Sequence, residues 1–290
     1  MLFKKVVLLL LSVIIIGVGT AEAQSAKKNV IVDKLVLNPD LSSRAIKLVN
    51  ESVLSGELET AIRKSGRFAI YTRNKGSLDS IRNEQKLNKS SLATGTGPKE
   101  GQLQAADLVI IPEIQRISAY REAKPVPNID GKYFRRDAGT LHMNVQILDA
   151  ATGEIKASFL VSSNYSTKKQ MVNNANRTPS PNVFKQLSVK AARSVVDELI
   201  DTVFPMLVIS AKGNALIVNR GKDGGLKKGM KLDVFAPGEV LIDPYTNENL
   251  GSEETLAATA VVERVDPKKT TLRIVSGGPV ERMYIVRKQQ

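Results

Sequence analysis

There is no cysteine in these 290 residues, no tryptophan, and a single histidine. Without cysteine the chain has no thiolate metal site, no disulfide framework, no thiol nucleophile and no residue on which a lipid is attached after export. With His142 alone, a two-histidine metal centre is excluded too. Aromatic residues make up 4% of the chain, which weighs against the stacking surfaces that hold sugars. Long apolar runs are scarce: one extends from Val6 to Ile16, and no second stretch of that kind follows.

What is present begins with that run. Lys4 and Lys5 precede it and Ala21, Glu22 and Ala23 follow, the order of a charged region, an apolar region and a small-residue cleavage site. The run is short of the roughly 20 residues that a membrane-spanning helix needs. Residues 1–23 are therefore expected to be a signal peptide cut after Ala23, leaving a soluble, periplasmic chain with no transmembrane anchor. Export changes the meaning of the net charge, which is +13 from 42 Lys and Arg against 29 Asp and Glu. In the cytoplasm such a balance suggests nucleic acid, whereas outside it the polyanions in reach are lipid head groups, cell-wall polymers and acidic proteins. Weak contact with anionic envelope polymers, or a basic surface that only keeps the protein soluble, both fit this charge.

Alternation over residues 30–37 predicts a strand, closed by Asn38, Pro39 and Asp40. Ile46, Val49, Val53, Leu54, Leu58, Ala61 and Ile62 share one face of a helix predicted over 42–65, with Gly66 at its C-cap and a strand from Phe68 to Thr72. Ser77 is placed to cap a short helix, and a loop is expected over 86–101. Ala105 to Ile117 gives the strongest strand signal, apolar enough to be central in a sheet. Residues 121–138 lack periodicity and read as a long exposed hairpin tip. Strands over 141–148 and 155–163 are joined by the turn from Asp149 to Gly153, and a polar loop follows over 164–182. A helix from Val183 to about Phe204 ends at Pro205. Beyond it, runs at 215–218, 231–235, 259–265 and 271–274 alternate with Gly and Asp turns. The prediction is an α/β (α+β) layer over 24–205, a mixed sheet with flanking helices, followed by a small all-β, barrel-like domain over 206–290.

Three segments in order, Gly66 to Tyr71 (GRFAIY), Ser77 to Leu87 (SLDSIRNEQKL) and Ala105 to Ile114 (AADLVIIPEI), resemble the CsgG-like family of envelope assembly proteins. Gly66, Arg67, Phe68, Glu84 and Asp107 carry that likeness. Leu148 to Ile155 (LDAATGEI) is similar to the family's hairpin through Asp149 and Gly153. Further on, Val218 to Phe235 and Leu241 to Gly251 resemble the small β domain that ends flagellar assembly protein T. Gly221, Gly225, Gly229, Asp243, Pro244 and Gly251 carry this second likeness, with Asn247 where glycine is usual. Its physical content is turns: the glycines permit tight reversals, and Asp243 before Pro244 starts another.

The resemblance implies an envelope assembly or transport component, with other envelope proteins as partners and rings of identical copies as a frequent state. Two departures qualify it. Curli channel members are lipoproteins, and this chain has no cysteine to acylate. They also build a pore from amphipathic strands, whereas Tyr165 to Pro181 lacks an alternating apolar face.

No cofactor, metal or catalytic residue is expected. Asp243, Glu248, Glu253 and Glu254 are spaced too widely for a calcium loop. Asp107 at a strand start reads as a cap or pairing partner, and GGLKKG lacks the Ser or Thr of a phosphate loop. His142 alternates with Leu141, Met143, Val145 and Ile147 and so points away from them, and no nucleophile elbow is present. The expected function is a non-enzymatic scaffold acting by protein–protein binding in secretion or surface-appendage assembly. The alternative is a periplasmic module for cell wall or anionic polysaccharide.

Overall fold

The computed structural model describes residues 27–88, 90, 103–245 and 249–289. The expected signal peptide with Ala23, and most of the stretch 86–101 expected to be a loop, lie outside the described residues. Two strands, β1 (Lys28–Val32) and β2 (Val36–Leu37), stand where one was expected. The predicted helix over 42–65 is likewise two, α1 (Ser43–Ile46) and α2 (Glu51–Ser65). Asn50 causes the restart: its side-chain oxygen accepts the Val53 N–H at 3.2 Å, a local bond that competes with a continuous helix. Gly66 closes α2 at φ 65°, and β3 (Phe68–Ile70) follows. The next helix, α3 (Lys75–Asn88), starts ahead of Ser77, which is therefore internal. Asn74 supplies the acceptor instead, taking the Gly76 N–H at 2.9 Å.

Strands β4 (Leu108–Pro125) and β5 (Tyr133–Asp149) are much longer than predicted, and their hairpin tip shrinks to 126–132. Charge pairs rather than apolar alternation hold this outer part together. Arg121 grips Asp137 with two bonds of 2.5 and 2.7 Å, and Arg136 donates to Glu122 at 2.8 Å. β6 (Ile155–Ser166) completes the meander, and β7 (Gln170–Val172) forms inside the stretch expected to be a loop. The order is β3-β1-β4-β5-β6, with β2 against β4 and β7 against β5. β1 runs parallel to β3 and β4, while β4, β5 and β6 are antiparallel.

α2 and α4 (Asn182–Val203) cover one face of this sheet. Leu54, Leu58 and Ile62 from α2 and Leu187, Ala191, Val195 and Leu199 from α4 are all 0% exposed, as are Ile110, Ile114, Leu141, Met143, Val145 and Ile147 beneath them. Each large apolar side chain so buried contributes about 1.5–3 kcal/mol.

A second sheet comprises β8 (Val208–Lys212), β9 (Ala215–Val218), β10 (Lys231–Ile242), β11 (Asn249–Val265), β12 (Thr270–Gly277) and β13 (Ile285–Lys288), with a 3₁₀ turn at Lys222–Gly224. Its order is β13-β10-β11-β12-β9-β8, antiparallel throughout, over a separate core that includes Leu216, Val218, Leu232 and Leu272. Leu207, just before β8, bridges Ile285 of β13, with backbone bonds between Val208 and Tyr284, Met283 and Val208, and Val286 and Met206 around it, and the sheet is not a closed barrel. The chain is thus mixed α+β with two sheets. No helix among the described residues is long and apolar enough to cross a membrane.

Candidate functional site

The turn after α2 reaches into the second sheet. Gly66 ends the helix, so Arg67 leaves in a new direction, and its Nε meets Asp223 Oδ2 at 2.5 Å. Arg67 Nη2 also donates to the carbonyls of Asn219 at 2.7 Å and Lys268 at 3.3 Å. In return, Lys268 Nζ donates to the Gly66 carbonyl at 3.1 Å, and Phe68 packs against Phe204 with the rings tilted by 40° and their centroids 5.5 Å apart. Gly221 is required here for space: a Cβ would lie 2.2 Å from the Asp266 carbonyl oxygen. Gly225 is required for direction, at φ 75°, with the Asp197 carboxylate of α4 close above it.

A second layer of charge lies behind this clasp. Arg220 is fully buried, pairs with Asp201 at 2.9 Å and donates to the Phe204 carbonyl, while its Nε and Nη1 find no partner among the described residues. Burial pulls its guanidinium pKa below the ordinary value, against the opposing pull of Asp201. Burial also pushes the Asp197 carboxyl up, opposed by Lys288 and reinforced by Asp201. Between α2, α4 and the 3₁₀ turn a groove of about 290 Å³ opens, where Lys64, Arg193 and Lys222 face Glu57 and Asp197.

The opposite face of the first sheet is uncovered. A trough of about 940 Å³ runs along it, lined by Asp40, Arg116, His142, Asn144, Leu160 and Ser162. His142 Nδ1 lies 2.9 Å from Ser162 Oγ, a cross-strand pair, and Leu160 is 76% exposed. β6 is also the outermost strand on this side, so alternate backbone groups along it have no strand partner. From Ala157 to Ser166 it carries no charged residue, in a chain that is 24% charged. Lys190 Nζ caps one of its carbonyls, that of Asn164, at 2.7 Å.

Of the residues singled out in the sequence, Gly66, Arg67, Phe68, Gly221 and Gly225 come together at the junction. The others are dispersed. Asp107 Oδ2 accepts the Asn29 N–H at 2.7 Å at the sheet end. Asp149 Oδ1 accepts the Ala151 and Thr152 N–H groups at 2.9 and 3.2 Å, bonds that hold its pKa below the usual carboxylate range, and Gly153 completes that turn at φ 75°. Glu84 is exposed on α3, Gly229 donates its N–H to the Val262 carbonyl at 2.9 Å, and Gly251 pairs with Leu241. Asp243, followed by Pro244, accepts the Tyr245 N–H at 2.7 Å, Glu254 pairs with Arg287 at 2.5 Å, and Glu248 lies outside the described residues. Among the described residues no group of His, Asp or Glu is placed to hold a metal ion. Sequence reasoning missed Asp197, Asp201, Asn219, Arg220, Asp223 and Lys268. Only the four-residue spacing of Asp197 and Asp201 on α4 was a readable signal.

The family model described as "Curli production assembly/transport component CsgG" matches residues 42–223. The chain belongs to the CsgG family. The CsgG stretch therefore runs from α1 into the 3₁₀ turn, including both Arg67 and Asp223. This membership points to a role in assembly or secretion at the cell envelope. None of the curated protein sequences matches the chain.

Solved structures similar to this CsgG member include the PelC L103M dodecamer from Paraburkholderia phytofirmans, at 8% identity and TM-score 0.28 over 59% of this chain and 87% of that one. A putative neuraminyllactose-binding hemagglutinin homolog from Helicobacter pylori is 12% identical, with TM-score 0.29 over 62% of this chain and 86% of that one. A minor lipoprotein from Acinetobacter baumannii is 10% identical, with TM-score 0.28 over 59% of this chain and 91% of that one.

Proposed function

We propose that this chain is an exported, non-lipidated component of envelope assembly that works in the periplasm by binding other envelope proteins, and not by catalysis. The observation that carries the reading is β6, an outermost strand without charge from Ala157 to Ser166, beside an uncovered sheet face. Natural edge strands are normally blunted with charge or proline, and one left bare is suited to pairing with a strand of a partner. Leu160 beside the trough supplies an apolar anchor, whose full burial is worth about 1–2 kcal/mol beyond its present contacts. The cross-strand bond between His142 and Ser162 supports a structural role for the only histidine.

The domains are proposed to be 24–205 and 206–290, on the support of two separate hydrophobic cores. The approach of the segment leading into β8 to β13, at the Leu207–Ile285 bridge, supports a barrel-like reading of the second domain, in keeping with its likeness to flagellar assembly protein T. That domain would then act as a second contact module.

A photo-crosslinking residue placed at position 160 in living cells tests the docking reading. Adducts with envelope proteins are expected, and Leu160→Asp should abolish capture of those partners while leaving the melting temperature unchanged. Recovery of cell-wall fragments without any partner protein would overturn it in favour of a polymer-binding module.

A further inference from the structure

The described parts of the β10–β11 hairpin and the outer β4–β5 arm carry charge of opposite sign. Among the described residues from Pro237 to Leu256, along the β10–β11 hairpin, there are four acidic residues and no Lys or Arg, although the chain as a whole carries +13; one of the four, Glu254, is engaged by Arg287 of β13. The same segment is apolar at its surface: Val240 is 56% exposed, Leu241 48%, Ile242 48%, Leu256 57% and Tyr245 96%. Successive residues of a strand point to opposite sides, so Val240 and Ile242 present one side of the hairpin and Leu241 the other. An apolar run exposed on both sides of a hairpin calls for a partner.

The arm formed by the ends of β4 and β5 with β7 is the complement. Residues 120–137 and 164–177 together hold eight Lys or Arg against three acids. Two of those acids are already engaged, Asp137 by Arg121 and Glu122 by Arg136 and Lys124. Lys168, Lys169 and Arg177 have no ion pair among the described residues. Apolar groups accompany the charge here as well, with Phe134 opposite Met171 across β5 and β7, both exposed. No hydrogen bond or ion pair among the described residues joins this arm to the β10–β11 hairpin, which belongs to the other sheet.

We propose that the acidic, apolar hairpin of one copy of this chain docks on the basic, apolar arm of a second copy, head to tail. An anionic lipid surface would satisfy the arm but would repel the hairpin, whereas a second copy satisfies both with charge and apolar surface already in hand. Such a contact joins two different patches, so it leaves one hairpin and one arm unsatisfied at the ends of every pair and extends to further copies unless a ring closes. It takes none of its charge from β6, and crosslinking at position 160 is indifferent to it.

Sedimentation velocity on the purified protein tests this. Self-association is expected at about 0.1 M salt and should weaken at about 1 M, where the screening length falls to roughly 3 Å. Val240→Asp with Ile242→Asp removes the hairpin side, and Lys168→Glu with Lys169→Glu the arm side. These positions are exposed or on the surface arm, and unchanged circular dichroism and melting check that the variants fold. Each variant alone should associate at least about tenfold more weakly. Mixed in equal amounts, the two should give a dimer and nothing larger, because only one intact hairpin and one intact arm meet. A monomeric wild-type protein, association that survives in both variants, or a mixture that stays monomeric overturns the proposal. Flotation with phosphatidylglycerol vesicles by a protein that remains monomeric overturns it in favour of a lipid partner for the arm.

Discussion

Replacing Arg67 with alanine should loosen the second sheet from the first at a cost that the geometry fixes in order of magnitude. The guanidinium makes three bonds, to Asp223 at 2.5 Å and to the Asn219 and Lys268 carbonyls at 2.7 and 3.3 Å. Without it the Asp223 side chain, 6% exposed, keeps only the Gly221 N–H at 2.9 Å, and two carbonyls lose a donor. Removing one partner of a buried ion pair typically costs about 3–5 kcal/mol. Arg67 retains 16% side-chain exposure, so water enters the vacated space and the lower end, about 3 kcal/mol, applies. Asp223→Asn keeps an oxygen for Gly221 and should cost about 1–2 kcal/mol. Urea unfolding followed by circular dichroism measures both, and a double-mutant cycle of Arg67→Ala with Asp223→Ala should give a coupling of about 1–3 kcal/mol. Hydrogen exchange should accelerate over residues 219–225 in the same variants. A coupling below about 0.5 kcal/mol would refute the reasoning, because the pair would then be a surface ornament.

Gly221→Ala places a Cβ 2.2 Å from the Asp266 oxygen and 2.7 Å from the Lys268 nitrogen, both backbone, and should lower stability by about 1–3 kcal/mol or more. Gly229→Ala meets open space and bears only the φ 87° penalty of about 1–2 kcal/mol, so a melting curve that ranks it as the worse variant contradicts this account. The Arg121 bond, with help from the Ser180 N–H, lowers the Asp137 pKa, so its stabilisation is present above the unfolded value near 4 and is lost as pH falls through the folded value. Amide protection along the outer arm should fade over that acid range, and Asp137→Asn should remove the pH dependence; protection that is flat with pH in the wild type rules this out. Burial raises the Asp197 pKa, which reverses the sign: its contribution is favourable in acid and is lost as pH rises through the folded value. Asp197→Asn should therefore raise the melting temperature at neutral pH and make no difference below about pH 4, and a lower melting temperature at pH 7 would count against it.

The central layer was legible because its chemistry is local. α4 declares itself through Leu187, Ala191, Val195 and Leu199, and β5 through the alternation around Met143, since each buries one face against a single neighbour. Residues 121–138 were misread for the converse reason. Their strand pairing rests on Arg121–Asp137 and Arg136–Glu122, contacts between residues 14 to 16 positions apart that leave no apolar period. The break before α2 turns on the side chain of Asn50, a competitor that apolar spacing does not weigh. At the junction, Gly66, Arg67 and Phe68 stood out through family likeness, but their partners did not. Arg67 and Asp223 are 156 positions apart, and nothing in either neighbourhood announces the other.

Asp223 is the last residue of the family match and Arg67 lies near its beginning, so the matched stretch runs past the first hydrophobic core and ends at the clasp itself. A chimera that takes the second sheet from a relative and splices it after Phe204 would bring a foreign turn to Arg67, and one spliced after Gly225 would bring a foreign partner strand to β9 and replace Lys268. Neither seam is neutral. A chimera should therefore keep its stability only where Arg67, the 219–223 turn and the Lys268 loop travel together, because the clasp is assembled from three separate pieces of chain.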